Sequence, residues 1–137
     1  MILLDTHVLI WTVEGDDRLG QRARIVIDRE REGDGALVSP ISAWEAAMLA
    51  NKRKLVLSRA VHHWFEAVLA APGFSLAPLT TAIGADAGSL SGGIHGDPAD
   101  RLIIATARAL DCPVLTADRK ILAYAQAGDV QAIDARR

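Results

Sequence analysis

Short apolar runs alternate along this chain with longer stretches in which apolar residues recur at helical spacing. The short runs, residues 2–4, 36–39, 74–77, 114–116 and 130–133, are rich in Leu, Val and Ile and predict five strands. Between them, residues 6–13, 21–32, 42–52, 59–70, 81–90, 98–110 and 119–127 predict seven helices. Strands that are apolar throughout and separated by helices belong to a parallel sheet covered on both faces, so the expected fold class is α/β. Ser58 and the pair Asp97-Pro98 read as helix starts, and Gly73 and Gly128 as helix stops. Residues 89–96 break the pattern and carry Gly92, Gly93 and Gly96, which predicts a pliant loop leading into the helix that bears Asp100. This loop is a candidate substrate-facing segment.

Composition narrows the picture. With 137 residues, half of them hydrophobic, the chain can close one substantial core but not two, so a single domain spanning 1–137 is expected. A formal net charge of -2 supplies no global positive field for nucleic acid, and any RNA contact must come from a local patch. The single cysteine, Cys112, excludes an intramolecular disulfide framework and a multi-thiolate zinc site, and it reads as a core residue. The opening Met1-Ile2-Leu3-Leu4-Asp5 has no basic leader, and no apolar run approaches the roughly 20 residues of a spanning helix. A soluble, cytoplasmic setting without membrane contact is the expectation.

Four acids stand out, although each has an ordinary explanation. Asp5 and Asp118 sit where helix caps belong, Ser42-Ala43-Trp44-Glu45 has capping-box spacing, and Asp100 falls in a first helical turn where the dipole favours negative charge. Those readings leave one fact unexplained: all four acids lie at strand exits or in the helix starts that follow. In open α/β sheets that edge is where ligands bind, near the point at which strand order reverses. If the first and fourth strands are neighbours, Asp5 and Asp118 end side by side, with Glu45 and Asp100 reaching in from helices. Close carboxylates repel by about 4 kcal/mol at 4 Å in an effective dielectric near 20. An all-oxygen shell of this kind suits a hard divalent cation, Mg2+ or Mn2+. Without it, like-charge repulsion should raise the pKa of at least one acid.

The residues that carry a resemblance are Leu3-Leu4-Asp5-Thr6-His7, Glu45, His95-Gly96-Asp97-Pro98-Ala99-Asp100-Arg101 and Leu115-Thr116-Ala117-Asp118. In order and spacing they resemble PIN domains, specifically the VapC-type toxin ribonucleases of prokaryotic toxin–antitoxin pairs. The resemblance runs from Ile2 to Ile133. It implies a three-layer α/β/α fold, Mg2+- or Mn2+-dependent endonucleolytic cleavage of RNA, a homodimer, and neutralisation by a cognate antitoxin. It also implies that Asp5, Glu45, Asp100 and Asp118 are the metal ligands and catalytic acids, with Thr6 and Thr116 as supporting hydroxyls and Asp97 as a nearby helix-capping acid. Gly96 and Ala99 are smaller than the basic and aromatic residues often found there in relatives, which leaves substrate contacts by this loop open.

For RNA affinity the candidates are Arg101, Arg119 beside Lys120, and Lys52 in the run Lys52-Arg53-Lys54. The same residues could pair with local acids, or complement a helix C-terminus, without touching RNA. His7 and His95 could stand near the acidic edge, but packing and local hydrogen bonding are their expected roles. His62 and His63 are adjacent on a helix and are expected to point in different directions. Trp11, Trp44 and Trp64 lie in apolar helical segments, where core or interface burial is expected over base stacking. The rival readings are an aspartate-nucleophile phosphatase, which wants an Asp where His7 stands, a non-catalytic RNA- or protein-binding module of the same fold, and a Rossmann domain, for which no glycine fingerprint follows the first strand.

Overall fold

The structure, a computed structural model, describes residues 1–91, 93–94 and 96–137. Five three-residue strands form one wholly parallel sheet: β1 (Ile2–Leu4), β2 (Ala36–Val38), β3 (Phe74–Leu76), β4 (Val114–Thr116) and β5 (Ala132–Asp134). Their order is β3-β2-β1-β4-β5, so the strand order reverses between β1 and β4. The register pairs Leu4 with Val38 on one side and with Leu115 on the other, which brings the exits of β1 and β4 to the same edge. The helices are α1 (Thr6–Glu14), α2 (Gln21–Glu32), α3 (Pro40–Asn51), α4 (Val61–Ala70), α5 (Thr81–Gly88), α6 (Pro98–Leu110) and α7 (Arg119–Gln126).

The period-2 geometry of the strands divides the core in two. Ile2, Leu4, Ala36 and Val38 pack with Val8 and Leu9 of α1, Ile27 of α2 and Trp64 of α4. Leu3, Leu37 and Val114 face the other way, onto Ile103, Ile104 and Ala107 of α6 and Ile121 of α7. Successive side chains of one strand thus serve opposite layers, which is the three-layer α/β/α arrangement. Cys112 is buried in the second layer, as expected. Among the described residues, no helix is long and apolar enough to cross a membrane.

Several boundaries move for identifiable reasons. α3 starts at Pro40 with Ser39 as its cap, whose side chain accepts from the Ile41 amide, so Ser42 and Glu45 form no capping box. α4 starts at Val61, and its N-cap Ala60 makes no side-chain bond, so Ser58 is not a helix start. Instead, the Ser58 amide donates to Glu14 Oε1, which also accepts from Trp64 Nε1. Val130 joins the core instead of the last strand, which shifts to 132–134. Gly128, at φ 93°, follows the end of α7 as a stop should. His95 and Gly92 lie outside the described residues.

One close approach fixes the chain's last residues. Gly20 precedes α2, and its amide donates to the Ala135 carbonyl at 2.8 Å, while Ala23 donates to the Arg137 carbonyl at 2.9 Å. A Cβ on Gly20 would sit 2.1 Å from that carbonyl oxygen, so only glycine lets the two backbones meet.

Candidate functional site

Asp5 follows directly from β1 and caps α1 in extended backbone conformation, φ -65° and ψ 155°. Its Oδ1 accepts from the Thr6 amide at 2.8 Å and its Oδ2 from the Thr116 hydroxyl at 2.6 Å. Thr116 ends β4, and its oxygen also accepts from the Asp118 amide at 3.0 Å. One hydroxyl therefore ties the exits of the two central strands together. Asp118 caps α7, with Oδ1 accepting from the Lys120 and Ile121 amides at 2.7 and 3.2 Å. Thr6 turns its hydroxyl to the buried Ser42, donating at 2.8 Å and linking α1 to α3.

Glu45 is half-buried in the second turn of α3, and Asp100 is buried in the first turn of α6. Asp97 caps α6, accepting from the Ala99 and Asp100 amides at 2.9 and 3.2 Å, which is the capping role expected for it. The bland and the functional readings coexist at Asp5 and Asp118. Both cap a helix and both stand at the strand-order reversal.

The electrostatics show that these acids feel one another. Burial pushes the Asp100 carboxyl up to about 8, and the charges of Asp97, Asp118, Asp5 and Glu45 push in the same direction. Burial likewise raises Asp5, against the bonds from Thr116 and Thr6, with the Asp118 charge a smaller contribution. Glu45 is raised by burial, with the charges of Asp5 and Asp97 adding repulsion. Desolvation, more than repulsion, is thus the leading cause of the perturbation that the sequence anticipates. Asp5, Glu45 and Asp118 have no cationic partner within ion-pair distance among the described residues. Nor, among those residues, does any group of three or more His, Cys, Asp or Glu stand in metal-holding geometry, so the acids are neighbours without forming a closed cage.

The basic candidates separate clearly. Arg101 is half-buried and donates from Nε to the Ala87 carbonyl at 2.8 Å and from Nη1 to the Ile94 carbonyl at 3.4 Å, bracing α5 and the loop against α6. Arg119 and Lys120 are exposed in the first turn of α7, beside Asp118. Lys52 caps the far end of α3, seven residues beyond Glu45 and so about 10 Å further along the axis, and the fold does not bring it to the acids.

Some placements are not legible in the local sequence pattern. Ser42 has capping-box spacing in the sequence, yet it is the buried acceptor for Thr6. His62 and His63 do not diverge: their rings stack at 5.4 Å and both reach Glu66. Trp11 and Trp64 are buried, the core placement expected for them, and Trp44 is 50% exposed on α3, which leaves the interface alternative open for it. Arg136 was not considered at all. It follows β5 and lines a small cleft with Asp5, His7, Trp11, Ala117 and Asp118. The available signal was topological, because a residue just past a parallel strand must stand at the carboxyl edge.

Comparison with known proteins accords with this geometry. A family model described as PIN domain matches residues 2–127. The chain is 32% identical over 123 residues to Ribonuclease VapC22 of Mycobacterium tuberculosis, covering 90% of this chain and 91% of that one. Two solved structures share the fold at low identity. VapBC2 from Rickettsia felis bound to a DNA fragment from its promoter matches with a TM-score of 0.67 at 15% identity, covering 98% of each chain. VapBC-1 from nontypeable Haemophilus influenzae matches with a TM-score of 0.63 at 17% identity, covering 100% of each chain.

Proposed function

This chain belongs to the PIN-domain family, and from that premise we propose that it is a divalent-metal-dependent endoribonuclease that acts as the toxin of a toxin–antitoxin pair. The observation that carries the metal-dependent reading is the meeting of Asp5 and Asp118 at the strand-order reversal, joined through the Thr116 hydroxyl, with the buried Asp100 close enough to feel both charges. The acids at this edge offer carboxylate oxygens, which fit Mg2+ or Mn2+ better than a softer ion. Asp5, Glu45, Asp100 and Asp118 would hold the ion.

When bound, such an ion supplies an activated water and a countercharge for the phosphate being cleaved. The protein's own part is orientation. Thr116 and the Thr6 amide hold the two Asp5 oxygens, the α7 amides hold Asp118 Oδ1, and Asp97 fixes the helix start that carries Asp100. Arg119 and Lys120 offer charge for a passing RNA backbone.

The RNA substrate is supported by the relative named a ribonuclease. The antitoxin is supported by the VapBC complexes that share the fold. A homodimer rests on the family resemblance, and a cytoplasmic setting is the expectation drawn from the sequence.

The test is cleavage of a mixed RNA pool by purified protein with Mg2+, with Mn2+ and with chelator, beside Asp5→Asn. Cleavage lost with both chelator and substitution is the expected result. Cleavage that survives chelation would overturn the metal-dependent reading. Absence of both cleavage and metal binding would leave the acids as helix caps and favour a non-catalytic binding module.

A further inference from the structure

Building on the nuclease reading, we propose that the cleft beside Asp5 and Asp118 seats the RNA phosphodiester next to the one being cut, with the Arg136 guanidinium as its charge partner. The cleft has a volume of about 150 Å³ and is lined by Asp5, His7 and Trp11, by Ala117 and Asp118, and by Arg136. That is about five waters' worth of liquid. It offers room for a phosphate group with its ester oxygens, and too little for a whole nucleotide.

What marks Arg136 is the contrast between its backbone and its side chain. Its amide donates to Asp134 Oδ1 at 3.0 Å, and its neighbours are tied by Ala135 to Thr116 at 2.8 Å, Gly20 to Ala135 at 2.8 Å and Ala23 to Arg137 at 2.9 Å. Among the described residues, its exposed guanidinium makes no hydrogen bond or ion pair, even though it shares a cleft with two carboxylates. A structural arginine spends its donors on the protein, as Arg101 does. An arginine whose backbone is fixed and whose fork is unused suits a phosphate, which it can grip through two parallel bonds. His7, exposed and lining the same cleft, can add a ring N–H to the same anion. The cleft adjoins the acidic edge, so a strand whose scissile phosphate lies at the acids would pass its neighbouring phosphate over Arg136.

The experiment compares wild type, Arg136→Ala, Arg136→Lys and Arg137→Ala in steady-state cleavage of a single-stranded RNA oligonucleotide over a range of salt concentrations. Arg136→Ala should raise KM about tenfold with kcat nearly unchanged, the pattern of lost uniform binding. It should also reduce the slope of log(kcat/KM) against log salt by about 0.7, the share of one phosphate contact on a single strand. Arg136→Lys should restore the salt slope but only part of KM, and Arg137→Ala should match wild type. An unchanged KM and slope in Arg136→Ala, or an equal loss in Arg137→Ala, overturns the assignment while leaving the nuclease reading intact. A wild type that cuts no RNA with either metal overturns that reading, and this inference with it.

Discussion

The Thr116 hydroxyl donates to Asp5 Oδ2 at 2.6 Å and joins two residues 111 positions apart in sequence. The same oxygen accepts from the Asp118 amide, so a single atom sets the spacing of the two acids at the strand-order reversal. Thr116→Val keeps the shape and the strand preference but deletes both bonds. Leaving the buried Asp5 oxygen and the Asp118 amide without this partner should cost about 1–3 kcal/mol of stability, read by urea denaturation. Cleavage should fall at least tenfold in kcat, whereas Thr116→Ser should recover most of both. A valine variant as stable and active as wild type would remove Thr116 from the site.

Asp100 makes stability depend on pH in a definite direction. Its carboxyl is pushed up to about 8 in the folded protein, against 3.8 for an ordinary aspartate. Between those values the folded state keeps a proton that the unfolded chain releases, so stability falls as pH rises. The contribution is fully present below about pH 4 and is lost as pH climbs through about 8, at a limiting slope of about 1.4 kcal/mol per unit. Asp5 and Glu45 are raised as well and act in the same direction. Urea titrations in chelator should therefore show a stability decline between about pH 5 and about pH 8. Asp100→Asn should flatten it, and saturating Mg2+ should oppose it by favouring the ionised folded state. A flat profile in the wild type would show that the acids are better solvated than their burial indicates.

Much of this was legible in the sequence because local and global signals agreed. Leu3 and Leu4 are apolar on both faces of a central strand, and Asp5 marks its exit at an edge that only a parallel sheet would make functional. The capping of α6 by Asp97 was equally plain, since Asp-Pro admits little else. The start of α3 was not. Ser39-Pro40 and Ser42 both offer caps, and only tertiary contact with Thr6 draws Ser42 inward. The apolar Val130 fits a strand or a core-facing turn equally well, and packing decided for the second. Trp44 shows the limit of composition, because size and apolarity predict burial but not whether a partner surface exists within the chain. Arg136 was invisible for a different reason: its position depends on Gly20, 116 residues earlier, which no local pattern connects to it.

Tyr124 is buried in α7, and its hydroxyl is a buried polar atom with no hydrogen-bond partner among the described residues. Burying a hydroxyl without a partner costs roughly 1–3 kcal/mol. Tyr124→Phe keeps the ring and removes that cost, so it should leave stability unchanged or raise it by about 1 kcal/mol in urea denaturation. Cleavage should be unaffected, since Tyr124 packs in the second core layer and not at the acids. A clear loss of stability would reveal a bound water that the hydroxyl serves.

Gly20→Ala tests the clamp on the C-terminal residues. The new Cβ would meet the Arg137 carbonyl oxygen at 2.1 Å and the Arg136 carbonyl carbon at 2.5 Å. Backbone cannot yield as a flexible side chain can, so the segment after β5 must move, breaking the bonds from Gly20 to Ala135 and from Ala23 to Arg137. Overpacking of this kind costs about 1–3 kcal/mol. The displaced segment should also carry Arg136 away from the cleft, so the variant should show a raised KM under conditions where it remains folded. Combined with Arg136→Ala, the substitution should add nothing further to KM, because both changes remove the same contact. Additive effects in that double variant would mean that Gly20 supports the site by some route other than the placement of Arg136.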